Sequence, residues 1–172
     1  MKRILKGVAV LAAVAAFSAA PAHAQAKVGV AGTGLFSLES GGGSQFGGMA
    51  MVGFGGVNSP IGFRVDGTFS KKDGVTAIIG TGDITYAFKT AESSMFHPYL
   101  LAGGGIQRLS GGGASLTKPL AKVGAGFDYM MGGGKMALFA EPTFNLAFMG
   151  EENGGTSKFL QTNVGVKFNL GK

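Results

Sequence analysis

The sequence contains no cysteine and no tryptophan, and only 14% of its 172 residues are charged. An average soluble domain has about 25% charged residues. Without cysteine, the chain has no disulfide scaffold, no thiol nucleophile and no Cys-ligated metal site. The low charge, together with an apolar content of 45%, excludes an intrinsically disordered chain, which needs the opposite balance.

Glycine is the residue in excess, since it occupies 33 of the 172 positions. The average share of glycine in proteins is about 7%. A collagen-like chain would place glycine at every third position, and this sequence has no such period. The length suits one domain, in which glycine must serve the turns and the strands.

The N terminus has the three parts of a secretory signal peptide. A basic start is followed by an apolar run over residues 8–17 and by the small-x-small sequence Ala22-His23-Ala24. The run is shorter than the about 20 apolar residues of a membrane-spanning helix. The pattern predicts cleavage after Ala24, with a signal peptide over 1–24 and one β-barrel domain over 25–172. Cleavage removes three basic residues and no acidic one, so the formal net charge falls from +6 to +3. Nucleic acid is therefore not predicted as a partner.

Apolar and polar residues alternate along most of the predicted mature chain. Phe63 and Val65, for example, alternate with Arg64 and Asp66. Successive side chains of a β-strand point to opposite faces, so the pattern indicates strands with one apolar and one polar face. Eight strands are predicted, over residues 27–38, 46–57, 61–71, 75–88, 98–109, 118–131, 136–148 and 158–170.

These strands are longer than the about five to six residues usual in soluble proteins. They match the length that crosses a bilayer at a tilt. In hydrocarbon every backbone polar group needs a partner, and only a closed sheet leaves no edge. The sequence therefore predicts an all-β fold, an eight-stranded antiparallel transmembrane up-and-down β-barrel. The facing of strands 46–57 and 98–109 stays open at this point, and Pro142 predicts a bulge or an exposed strand end.

The polar faces carry isolated charges of both signs in the middle of the strands. Inside a closed barrel such charges must be paired. Their alternative placement is on the solvent-facing side of a soluble sheet. We predict a polar network in the lumen, formed by Arg64, Asp66, Asp83, Lys122, Asp128, Glu141 and Lys167.

Four short motifs carry a resemblance to a known group: residues 98–105, 123–129, 139–141 and 164–168. They resemble the eight-stranded outer-membrane β-barrel family that includes the outer-membrane protein A transmembrane domain, the OmpW type and the opacity porins. The resemblance implies a Gram-negative-type outer membrane as location, with membrane lipid and the barrel-insertion machinery as partners.

The resemblance also implies an interior network of Glu, Arg and Lys, for which Glu141, Arg64 and Lys167 are the matching positions. Two departures are visible. The chain does not end on the family's usual aromatic residue, and the interfacial aromatic girdle must come from phenylalanines and from Tyr86, Tyr99 and Tyr129 because tryptophan is absent.

No catalytic or cofactor-binding motif is present in the predicted mature chain. Its one histidine, His97, lies near Ser93 and Ser94, but a solvated histidine in a turn is the preferred interpretation. One histidine without cysteine does not make a usual zinc site. The Gly-x-Gly pairs lack both the third glycine and the helix of a nucleotide-binding loop. We therefore expect no enzyme activity, no cofactor and no metal.

The predicted function is that of a monomeric outer-membrane barrel with a structural or narrow-pore (porin-like) role. The small inward residues favour a lumen that passes ions or small solutes, whereas a structural role predicts a Glu141–Arg64 or Glu141–Lys167 contact that blocks the lumen. The alternative is a soluble periplasmic or secreted β-barrel that binds a small apolar ligand.

Overall fold

The computed structural model describes residues 24–56, 59–91, 93–148 and 155–170. The predicted signal peptide lies outside the described residues, apart from Ala24. Within the described ranges, no helix is long and apolar enough to cross a membrane.

The described chain forms one closed barrel in which every strand pairs antiparallel with its sequence neighbours and β1 closes on β8. The predicted fold class is confirmed. The strands are β1 (Ala24–Ser37), β2 (Ser44–Gly56), β3 (Ile61–Lys72), β4 (Val75–Ala87), β5 (Phe96–Gly111), β6 (Ala114–Met131), β7 (Met136–Phe148) and β8 (Thr156–Asn169). A single 3-10 turn, Gly132–Gly134, lies between β6 and β7. We call the end where β1 begins and β8 ends the terminal rim, and the opposite end the distal rim.

Two of the turns at the distal rim contain only two residues. Asp73 and Gly74 both have positive φ, at 49° and 77°, as do Gly112 and Gly113, at 57° and 81°. Positive φ at both central residues is the requirement of the two-residue turn that matches the twist of a hairpin. Asp73 and Gly74 lie in a predicted turn, while the predicted turn 110–113 narrows because β5 continues to Gly111.

The outer surface of the barrel is apolar. Along β3, exposed and buried residues alternate without exception from Ile61 to Ser70, and the exposed ones include Phe63, at 62% exposure, and Val65. The same outward apolar facing recurs on the other strands, with Phe46 and Val164 among the most exposed side chains. Such a continuous apolar surface is unusual on a soluble protein and marks contact with lipid or another apolar phase.

The two strands whose facing the sequence left open have a single phase each. In β2, Met49 and Met51 point inward and Phe46 points outward. In β5, Gln107 points inward and Arg108 outward.

Tyr99 also points inward, so its predicted place in the aromatic girdle is wrong. Only 6% of its surface is exposed, whereas Tyr86 and Tyr129 face outward. Tyr99 pairs across β5 and β6 with Gly126, which has no side chain to compete for the interior space.

Pro142 causes no bulge, in contrast to the prediction. The register of β6 and β7 is the same on both sides of it, with Gly124 opposite Thr143 and Phe127 opposite Ala140. Only the intervening pairs, at residues 125 and 126 of β6, are missing from the ladder. The barrel therefore accommodates the missing N–H donor by a local lapse in pairing, while Pro142 itself faces outward in the middle of β7.

Candidate functional site

Arg64 is the centre of an ion cluster inside the barrel. Its guanidinium contacts three carboxylates: Nη1 lies 2.5 Å from Glu141 Oε2, and Nη2 lies 2.9 Å from Asp83 Oδ2 and 3.2 Å from Asp66 Oδ2. Nη2 also donates to Glu141 Oε1 at 2.9 Å, so the Arg64–Glu141 pair is bidentate. Arg64 comes from β3 and Glu141 from β7, which are separated by three strands on either side. The contact thus joins opposite walls of the barrel.

Lys122 completes this cluster from β6. Its Nζ lies 2.8 Å from Asp83 Oδ2 and 2.9 Å from Asp66 Oδ2, and it donates to Thr81 Oγ1 at 2.7 Å. Thr81 in turn donates to Asp66 Oδ1 at 2.9 Å. Two cations therefore neutralise most of the charge of three carboxylates, as buried ions require.

A second ion pair lies toward the terminal rim. Lys167 Nζ is 2.7 Å from Asp128 Oδ1 and donates to the Tyr99 hydroxyl at 3.0 Å. The Tyr99 hydroxyl donates to Glu141 Oε2 at 2.7 Å. The ammonium also lies 4.3 Å and 4.4 Å from the ring centroids of Tyr99 and Phe139, within cation–π range. Tyr99 thus links the two groups of ions, and the Glu141–Lys167 contact considered above runs through its hydroxyl.

All seven residues predicted for the lumen network therefore face the interior, and the structure brings them together in two linked groups. Sequence reasoning missed Tyr99, whose phase could not be fixed because both faces of residues 98–106 are apolar. It also missed an amide layer beside Glu141. Asn163 donates to Glu141 Oε1 at 3.3 Å and accepts from Thr33 at 2.7 Å, and Gln161 donates to Thr68 at 3.1 Å.

Several inward glycines lie directly opposite large interior side chains. A Cβ added at Gly126 would be 2.5 Å from the Tyr99 ring, and one added at Gly103 would be 2.2 Å from Asp83 Oδ1. Both glycines are the cross-strand partners of those residues. The space beside these small residues is therefore filled, and they do not widen the lumen as the sequence suggested.

An apolar layer closes the lumen on the distal side of the ions. Its buried members are Leu35, Ala77, Ile79, Leu120, Ala147 and Phe159, with Leu109 packed against them. A cavity of about 220 Å³ opens at the terminal rim, and a cavity of about 440 Å³ opens at the distal rim. The ion clusters, the amide layer and the apolar layer lie between the two.

The contacts of the candidate catalytic residues do not form a nucleophile–base pair. His97 Nδ1 is 2.9 Å from Thr90 Oγ1, whereas the Ser94 hydroxyl donates to the carbonyl of Phe96. Among the residues that the structure describes, no group of three or more His, Cys, Asp and Glu side chains is arranged to hold a metal ion.

No protein-family model matches the sequence, and no curated protein matches it either. Two solved structures are similar in fold. Neisserial surface protein A is 20% identical, with 87% of this chain and 98% of that chain covered and a TM-score of 0.67. The N-terminal β-barrel domain of Pseudomonas aeruginosa OprF is 18% identical, with coverages of 86% and 99% and a TM-score of 0.57. The chain has the fold of the eight-stranded outer-membrane β-barrels, and at the level of fold the resemblance in the sequence motifs is confirmed.

Proposed function

We propose that the protein is an integral outer-membrane β-barrel with a structural, non-enzymatic role and a lumen closed to solutes. Its signal-peptide pattern, its apolar outer surface and its fold support the location. Phe46, Phe63 and Val164 are each more than 60% exposed, which favours lipid contact over the alternative of a soluble ligand-binding barrel.

The observation that carries the proposal is the contact between Arg64 and Glu141 across the barrel. An open channel needs a continuous polar path, but here the central charges are consumed by one another and Glu141 is fully buried. Eight strands enclose an interior just wide enough for side chains to fill. The barrel wall is thereby braced from inside, which suits a structural element of the envelope better than a pore.

Planar-bilayer recordings test the closed lumen. The purified protein, with insertion verified by heat-modifiable migration in detergent gels, is expected to give no discrete conductance steps. Reproducible steps above those of protein-free bilayers would contradict the proposal and favour the narrow-pore role.

Location is tested separately by cell fractionation. The protein is expected to sediment with the envelope and to resist extraction by urea, because its apolar belt requires lipid. Recovery in the soluble periplasmic fraction would favour the soluble alternative.

A further inference from the structure

The distal rim contains a cup that neither the ion clusters nor the structural role explains. It has a volume of about 440 Å³, within the range of small-molecule sites, and such sites occur in the mouths of β-barrels. Leu35, Ala77, Leu109 and Phe159 give it an apolar floor and wall. Apolar side chains that face an open, water-accessible mouth are a favourable surface for an apolar ligand.

Two polar side chains at this level are buried and unpaired. Gln107 lines the cup and is 7% exposed; Lys118, its direct cross-strand partner on β6, is 5% exposed. Neither has a hydrogen bond or an ion pair with any residue in the described ranges, in contrast to the lysines of the central network, Lys122 and Lys167. A buried amide and a buried ammonium without partners are costly, so a partner that supplies acceptor oxygens stabilises them.

We propose that the cup binds a small amphipathic carboxylate. The apolar body packs on Leu35, Ala77 and Phe159, while the carboxylate accepts hydrogen bonds from the Lys118 ammonium and the Gln107 amide. A carboxylate matches both donors, and its charge balances the one buried cation that has no acidic partner among the described residues.

The test uses the full barrel in lipid nanodiscs, titrated calorimetrically with octanoate and, in parallel, with 1-octanol, against empty nanodiscs. Octanoate and octanol share the chain and differ in the head group. We expect saturable binding of octanoate, with affinity about tenfold higher than that of octanol. Lys118→Met is expected to lower the octanoate affinity about tenfold and to leave the octanol affinity within about twofold.

Lys27→Met at the terminal rim is the matched control, since Lys27 lines the other cavity, and it is expected to change neither affinity. Where Lys118→Met fails to show heat-modifiable migration, Gln107→Leu takes its place, with a smaller loss in the same direction. The proposal is overturned if the protein does not bind octanoate, if octanol binds equally well, or if the Lys118 and Gln107 variants keep the full octanoate affinity.

Discussion

Replacing Arg64 by methionine should destabilise the barrel far more than replacing its partner Glu141 by glutamine. Arg64 and Lys122 face three carboxylates, so the central cluster already has one negative charge in excess. Arg64→Met removes the cation that contacts all three. Glu141→Gln removes the excess charge and keeps an acceptor for Arg64 and for Tyr99.

The magnitudes follow from the contacts. Breaking a buried ion pair by removing one partner costs about 3–5 kcal/mol, and Arg64→Met leaves Lys122 alone to serve Asp66 and Asp83. Glu141→Gln converts charge-assisted hydrogen bonds into neutral ones, a loss of about 1–2 kcal/mol. Arg108→Met is the matched control, because Arg108 is exposed and contacts only Ser115 at 3.4 Å; surface changes of this kind stay within about 0.5 kcal/mol.

Urea titration of the protein folded in lipid vesicles measures these differences, with the folded fraction read from heat-modifiable gel migration. The double variant Arg64→Met/Glu141→Gln should be more stable than the sum of the two single losses predicts, because it removes a charge from each side of one cluster. The reasoning is refuted if Arg64→Met costs no more than Glu141→Gln, or if the two losses simply add.

Three further changes test other parts of the structure. Gly126→Ala places a Cβ 2.5 Å from the Tyr99 ring and should lower the free energy of unfolding by about 1–3 kcal/mol in the same titration, whereas Gly82→Ala meets no atom within 4 Å and should be neutral or stabilising by up to about 1 kcal/mol; equal effects would contradict the glycine argument. Since the chain has no cysteine, Ser40→Cys in the distal turn should react with a membrane-impermeant maleimide on intact cells if the distal rim faces outward. Ser93→Cys, near the terminal rim, should react only after permeabilisation, and the reverse pattern would invert the barrel.

The alternation of side chains was sufficient to predict the eight strands and the inward facing of the seven charged residues. In β3 the two faces differ so strongly that only one phase buries Arg64 and Asp66 together. Facing could not be predicted where both faces are apolar or glycine-rich, as around Tyr99 and Met51. There the phase depends on the cross-strand partner, Gly126 or Gly29, and a sequence does not show which residue lies opposite.

The pairings within the network were equally beyond the sequence. Counting charges indicated that cations and anions must balance, but the bond from Arg64 to Glu141 depends on the register accumulated over four intervening hairpins. The effect of Pro142 was mispredicted for a related reason: a bulge would shift the register of β7, and the closed barrel fixes that register from β6 and from β8.

The central claim is that the apolar face of this barrel contacts lipid and the charged face is enclosed. Nitroxide labels attached to single cysteines along β3 test it directly, because collision with oxygen reports lipid and collision with a water-soluble nickel complex reports water. Labels at Phe63, Val65 and Phe69 should favour oxygen, and labels at Thr68 and Ser70 should be shielded from both reagents. Preferential collision of the nickel complex with the labels at Phe63, Val65 and Phe69 would contradict a membrane-spanning barrel.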